Sequence, residues 1–409
     1  MKNPVVEMKT PVVENAPFRY FVLCRTATTM SSQMMMVIVA WQMYDITRSA
    51  YDLGLVGLAQ FVPALALCLI VGQVADRFDR RLILVGCLLV QFCVALVLIA
   101  GTLGGWLGRD VILFASLGLG TARAFQQPTQ QALLPALVPR DALPRALALA
   151  SAAMQTATIA GPAIGGFIYV AGAARVYGTC AVMSLFAIAM VCLIRHPHAS
   201  VAREPVTLKS LFAGIGFIWS RQEVLGAISL DLFAVLFGGA TALLPVFARD
   251  VLHTGPWGLG LLRSAPAVGA LLMSLYLARH PIQNNVGKVM LGSVTLYGLA
   301  TLVFALSSHL LLSLGALMLT GAFDMVSVVV RQSLVQLQTP NEMRGRVSAV
   351  NSIFVGASNQ LGEFESGVTA GLLGAVPSVL IGGISTVLIV VLWRKLFPSL
   401  AQTERLIVA

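Results

Sequence analysis

GQVADRFDRRLILVGCLLVQFCVALVLIAG, residues 72–101, sets two kinds of sequence side by side. Its first third crowds Asp76, Arg77, Asp79, Arg80 and Arg81 into one short segment, and the remainder, from Leu82 to Gly101, contains no Lys, Arg, Asp or Glu. A helix needs about 20 predominantly apolar residues to cross the hydrocarbon core of a bilayer, which is the length of this run. Barrel strands alternate apolar and polar positions over about 10 residues, whereas here Gln91 is the one amide in an apolar series. A helix is the remaining way to satisfy the backbone in lipid. The stretch reads as a charged loop feeding a membrane-spanning helix.

The same alternation recurs along all 409 residues. Apolar segments of spanning length start near residues 19, 53, 82, 110, 145, 174, 223, 257, 286, 309, 345 and 374. Only 11% of the chain is charged and 57% is hydrophobic, where a soluble domain carries roughly a quarter charged residues. With a mean hydropathy of +0.86, the composition excludes an ordinary water-soluble fold. The expected fold class is an all-α integral membrane protein of twelve transmembrane helices in two six-helix halves, with the lipid bilayer as its main partner. A net charge of +10 does not imply nucleic acid, because the basic residues punctuate apolar runs instead of clustering on a solvated face.

The basic residues report topology. With both termini cytoplasmic, the inside segments carry 19 of the 27 Lys and Arg residues, and the outside segments carry four, Arg48, Arg109, Arg175 and Arg249. The positive-inside rule supports that orientation, and a cytoplasmic (inner) membrane of a bacterium is the expected location. Residues 1–17 hold Lys2 and Lys9 but no apolar core or cleavage site, so no cleaved signal is expected. The six cysteines fall in apolar runs without CxxC spacing or a histidine cluster, so neither metal nor cofactor is expected. There is no HExxH, GxSxG or Walker loop, which argues against an enzyme or an ATP-driven machine.

The longest hydrophilic stretch, residues 195–222, divides the chain into an N-terminal half, 1–194, a cytoplasmic linker, and a C-terminal half, 223–409. The shift that carries Gly120 onto Gly321 also carries Gln131 onto Gln332, Pro139 onto Pro340, Arg145 onto Arg346 and Gly166 onto Gly367 without a gap. Such coincidences indicate a duplicated unit.

Gly72, Asp76, Arg77, Arg80 and Arg81 resemble the GxxxDRxGRR loop of the major facilitator superfamily, with Asp79 in place of its last Gly. Leu119, Arg123 and Gln126 are similar to that superfamily's LxxxRxxQG pattern, with Gln127 replacing its Gly. Gly161, Pro162, Gly165 and Gly166 resemble the GPxxGG core of the motif associated with its exporters. Within the superfamily, APFRYFVL, ITRSAYDLGLVGLAQFVPAL and PRDALPRALALASAA look like the branch of enterobactin and other siderophore exporters and some drug efflux proteins. The resemblance implies a monomeric carrier in which spans one, four, seven and ten line a central cavity and the charged loop acts in conformational switching.

Ionisable groups inside spans are costly, roughly 2.5–3.5 kcal/mol each on insertion scales, and are functional candidates by default. The chain has Arg25, Arg123, Arg263 and Arg331 against Asp231, Asp324, Glu363 and Glu365. Of these, Arg25, Arg123, Asp231, Asp324 and Arg331 fall on the four spans that the resemblance assigns to the cavity. Gln126, Gln127 and Gln130 follow Arg123 at helical spacing and are expected to extend one polar stripe from it. The internal shift superposes Arg123 on Asp324, so these two are expected to face each other across the cavity. Asp231, about 12 Å into its span at 1.5 Å per residue, suits proton coupling. Met34, Met35, Met36, Trp41, Phe125 and Phe233 are candidates for an apolar wall. The leading expectation is proton-coupled export, by antiport, of a small amphipathic molecule such as a siderophore or a multidrug substrate. Uptake by the same fold is the alternative, and a membrane receptor stands behind both.

Overall fold

The computed structural model describes residues 15–67, 70, 71, 74, 78–139, 141–194 and 208–404. Its twelve long helices are α1 (Ala16–Thr47), α2 (Ala50–Ala66), α3 (Arg80–Gly104), α4 (Arg109–Leu137), α5 (Leu143–Tyr169), α6 (Ala173–Leu193), α7 (Gln222–Gly238), α8 (Pro256–Arg279), α9 (Val286–Leu306), α10 (Leu310–Gln338), α11 (Asn341–Leu373) and α12 (Ala375–Leu396). Each begins within four residues of a start expected from the sequence. No strand occurs among the described residues.

Local chemistry sets the ends. Asn15 caps α1 by accepting from the Phe18 N–H, with Pro17 in the first turn, and Arg48 closes it in the left-handed conformation at φ 54°. Ser49 then accepts from the Asp52 N–H to start α2, so the chain reverses in two residues. At the head of α3, Asp79 accepts from the Arg81 N–H. The residue that departs from the superfamily's glycine is therefore a helix cap.

Among the described residues, eight helices are long and apolar enough to cross a membrane on composition alone, counting α7 together with its continuation to Val251. The other four are α2, which is short, and α1, α4 and α11, which mix polar residues into their runs. Past Gly238 the α7 span kinks through a 3₁₀ turn, Ala240–Leu243, and ends in a π-turn, Phe247–Val251. Gly238, Gly239 and Pro245 are the local cause, since glycine and proline each weaken the regular ladder. The hydrophilic connection between the halves contains a further helix, Leu208–Ser220. Gly214 lets it lie against the Arg346 carbonyl of α11, and Ile218 packs with Val347 and Val350.

The two halves repeat one packing scheme. In the first, α1 packs on α5 and α6, α3 on α4 and α6, and α2 on α4; in the second, α7 packs on α11 and α12, α9 on α10 and α12, and α8 on α10. Two seams join them, α5 against α8 and α2 against α11, which exchange under the same pseudo-twofold relation. The halves interlock at the end where α1 finishes. There the Tyr44 hydroxyl donates to Asp250, Arg249 pairs with Asp45, and the Arg249 guanidinium lies 5.7 Å from the Trp41 ring centroid. The conformation is closed at this Asp45 end.

Candidate functional site

The in-span charges gather into two groups. The first lies within the C-terminal half, where Arg331 of α10 donates to Asp231 of α7 at 3.2 Å, with side-chain exposures of 3% and 6%. The same guanidinium donates through Nη1 to the Asn351 amide oxygen of α11 at 3.0 Å, and its buried Nε has no partner among the described residues. Asp324 sits two turns before Arg331 on α10, and it lines one small cavity with Asp231, Tyr297, Phe323 and Ser327. Tyr297 donates to the Gly238 carbonyl at 3.2 Å, where α7 breaks. Asp324 feels the charges of both Asp231 and Arg331. Two carboxylates thus line one small cavity, and one of them, Asp231, holds the guanidinium.

The second group bridges the halves. Glu363 of α11 lies 4.0 Å from Arg263 of α8. A Cβ on Gly57 of α2 would come within 2.9 Å of a Glu363 carboxylate oxygen, so glycine there is what admits the carboxylate to the seam. Arg263 also donates to the Met36 sulfur of α1. Arg123 of α4 acts electrostatically on both Arg263 and Glu363. Arg25 of α1 donates to the Met154 sulfur of α5 at 3.2 Å.

Two expectations are corrected. Arg123 and Asp324 do not pair: Asp324 keeps company with Asp231 and Arg331, while Arg123 is grouped with Arg263 and Glu363. Equivalence under a pseudo-twofold axis places two residues symmetrically, and contact depends on what neighbouring helices bring to each. The polar stripe on α4 also divides. Gln126 is buried and accepts from the Gln91 amide of α3 at 2.7 Å, so it binds helix to helix. Gln130 is buried too, and Gln127 shares the exposed condition of Arg123.

Of the residues expected to form an apolar wall, Met34 and Met35 are buried in the core and Trp41 is held under Arg249. Phe233 packs on Trp393 at 5.2 Å between ring centroids. Glu365 accepts from Thr369 at 2.7 Å, apart from Glu363. Sequence reasoning noted Arg263 and Glu363 as in-span charges but left them out of the site, and it passed over Asn351 and Tyr297 altogether.

The glycine motif of α5 serves two faces. Gly161 and Gly165 admit α1, with a Cβ on either meeting Gln33 or Met34 at 2.8 and 3.1 Å. Gly166 faces the other half, where its Cβ would stand 2.5 Å from the Pro256 carbonyl oxygen, and Gly260 of α8 returns the contact at 2.4 Å from the Pro162 carbonyl oxygen. In the charged loop, Gly72, Asp76 and Arg77 lie outside the described residues. Arg80 donates to the Ala132 carbonyl near the end of α4 at 3.0 Å, and Arg81 donates to the Ile194 carbonyl beyond α6 at 2.6 Å. Both arginines therefore tie helix C-terminal ends, where cations are favoured.

Residues 10–406 match the family described as transmembrane secretion effector. The enterobactin exporter EntS of Citrobacter koseri is 27% identical over 408 residues, covering 94% of this chain and 92% of that protein. EntS of Shigella boydii is 28% identical over 378 residues, covering 88% and 85%. Among solved structures, a bacterial homologue of the lysosomal transporter Spinster, inward-facing and occupied, superposes with a TM-score of 0.72 at 12% identity over 94% of this chain and 96% of that one. A bacterial homologue of the iron transporter ferroportin, inward-facing, gives 0.71 at 15% identity over 94% and 98%.

Proposed function

The chain belongs to the transmembrane secretion effector family, within the major facilitator superfamily of membrane transporters, and from that premise we propose that it exports a small amphipathic molecule in exchange for protons. The observation that carries the proposal is the trio Asp231, Asp324 and Arg331. Arg331 pairs with the buried Asp231 while the half-buried Asp324 lines the same cavity, which leaves one negative charge uncompensated when both carboxylates are ionised, and a proton is the smallest ion that relieves it. Likeness to enterobactin exporters over most of both chains supports outward movement of a siderophore or drug-like solute. The bacterial cytoplasmic membrane is the site of action in this reading.

The basic-residue bias makes the Asp45 end the outer face, with both termini in the cytoplasm. Alternating access then requires the outer latch to part and the Gly166–Gly260 seam to open. Reporter fusions at residue 1 and residue 409 should both report cytoplasm; opposite locations for the two would overturn the even span count.

The latch sets a modest bias. Asp45 and Arg249 are 46% and 26% exposed, and ion pairs of that kind contribute about 1 kcal/mol or less. Arg249→Gln should therefore shift the balance toward the outward-open state several-fold without blocking transport. With Met36→Cys in a background whose native cysteines are replaced, a membrane-impermeant thiol reagent applied outside should label the Arg249→Gln variant faster. Unchanged labelling would remove the latch from the mechanism.

The function is tested in everted membrane vesicles, comparing siderophores, drugs and metabolites under an imposed pH gradient. Accumulation in the lumen when the lumen is acid, abolished by a protonophore, is the expected result. Gradient-driven loss from the lumen would mean import, and gradient-independent movement would end the proton coupling.

A further inference from the structure

We infer that the transported solute is an organic anion, held by Arg25, Arg123 and Arg263 in the cleft between the halves. The inference rests on the transporter reading above and adds the charge of the substrate.

The chain itself shows how it treats a structural arginine within a span. Arg331 has a carboxylate at 3.2 Å, an amide oxygen at 3.0 Å and 3% side-chain exposure. The other three differ. Arg25 has a methionine sulfur as its hydrogen-bond partner, Arg263 has another methionine sulfur and a carboxylate at the outer limit of pairing, 4.0 Å, and Arg123 makes no hydrogen bond or ion pair with the described residues. A thioether is a weak acceptor, while a guanidinium carries five donors and keeps its charge.

All three arginines stand well inside their helices, with Arg123 exposed and Arg25 and Arg263 half-buried. Arg123 is the fifteenth residue of the 29-residue α4, Arg25 the tenth of the 32-residue α1 and Arg263 the eighth of the 24-residue α8. At 1.5 Å per residue each stands roughly 10–20 Å inside its helix. Arg123 and Arg263 share one carboxylate, Glu363, and Arg25 has only a thioether, so the three are short of negative charge and of acceptors. Paired anionic oxygens, as in a carboxylate, match the donor fork of arginine. The sulfur partners Met36 and Met154 belong to flexible, polarisable side chains that give way to a ligand and pack against its apolar part. Asp231 and Asp324 stand apart in the C-terminal half, so proton and anion have separate places.

Two dyes of opposite charge test the inference in proteoliposomes of the full chain, anionic carboxyfluorescein and cationic ethidium. The expected result is carboxyfluorescein transport in excess of ethidium, falling roughly tenfold or more in Arg123→Gln and in Arg263→Gln, the loss expected from one charge-assisted contact. Ethidium moved at an equal or greater rate would overturn the anion assignment and leave the transporter reading standing; movement of neither dye would count against both. A second readout needs no substrate. The ligand-free Arg123→Gln protein should be at least as thermally stable as the wild type, because an uncompensated charge has been removed. A lower melting temperature would make Arg123 a structural residue and end the proposal.

Discussion

Valine at position 166 is expected to abolish transport in a protein that still inserts and folds. A Cβ there meets the Pro256 carbonyl oxygen at 2.5 Å and the α-carbons of Trp257 and Gly260 at 3.1 and 3.2 Å. All three are backbone atoms, which cannot rotate aside as a flexible side chain does. Even alanine forces α5 and α8 apart, and overpacking of this kind costs about 1–3 kcal/mol, or roughly ten- to hundredfold in the closed population. Valine adds branched bulk to the same clash. The clash falls on a seam between the halves, so each six-helix bundle keeps its own packing. Gly165→Ala provides the contrast: its Cβ meets Met34 of α1 within one half, and it should lower folded yield more than cycling. Gly178→Ala, with nothing within 4 Å, should be silent. The measurement is transport rate per folded protein, with folding read by size-exclusion profile. Gly166→Val transporting at the wild-type rate would show that the seam does not close during the cycle.

Spanning helices were legible because lipid leaves the backbone few solutions: a run such as 82–101 admits little besides a helix, and α3 duly occupies Arg80–Gly104. The glycine motif on α5 was also legible as a packing device, though which glycine faces which neighbour needed coordinates. The ionic partners were not legible. An internal repeat superposes Arg123 on Asp324, yet Arg331 reaches Asp231 because α10 and α7 pack within one half, and Arg123 looks across the cleft to Arg263 and Glu363. Confining the cavity to spans one, four, seven and ten left Arg263 and Glu363 outside the site, although α8 and α11 form the seams and carry their charges into them. Asp79 misled in another way. Measured against the superfamily's glycine it reads as a departure, while as a residue before a helix its carboxylate is a good N-cap.

Removing one member of the Asp231–Arg331 pair should harm the protein more than neutralising both. The two groups meet at 3.2 Å with 6% and 3% exposure, and stripping a partner from such a pair costs about 3–5 kcal/mol, because the survivor loses its contacting counter-charge in a low-dielectric interior. Asp231→Asn and Arg331→Gln are each expected to depress folded yield and melting temperature. The double variant removes both charges and leaves an amide on each side able to hydrogen-bond, and it should recover most of the loss. Arg331→Gln should be the worse single change. It leaves Asp231 and Asp324 together in one pocket with no cation, and it withdraws the guanidinium donor from Asn351. Transport separates the structural role from the coupling role. In the double variant Asp324 has lost the charges of both Asp231 and Arg331 from its surroundings, so gradient-driven transport should stay low while exchange of substrate for substrate persists. The decisive measurement is a thermal-stability cycle of wild type, both single variants and the double variant. If the single losses simply add in the double, the two charges are uncoupled, and the trio loses its claim to the proton.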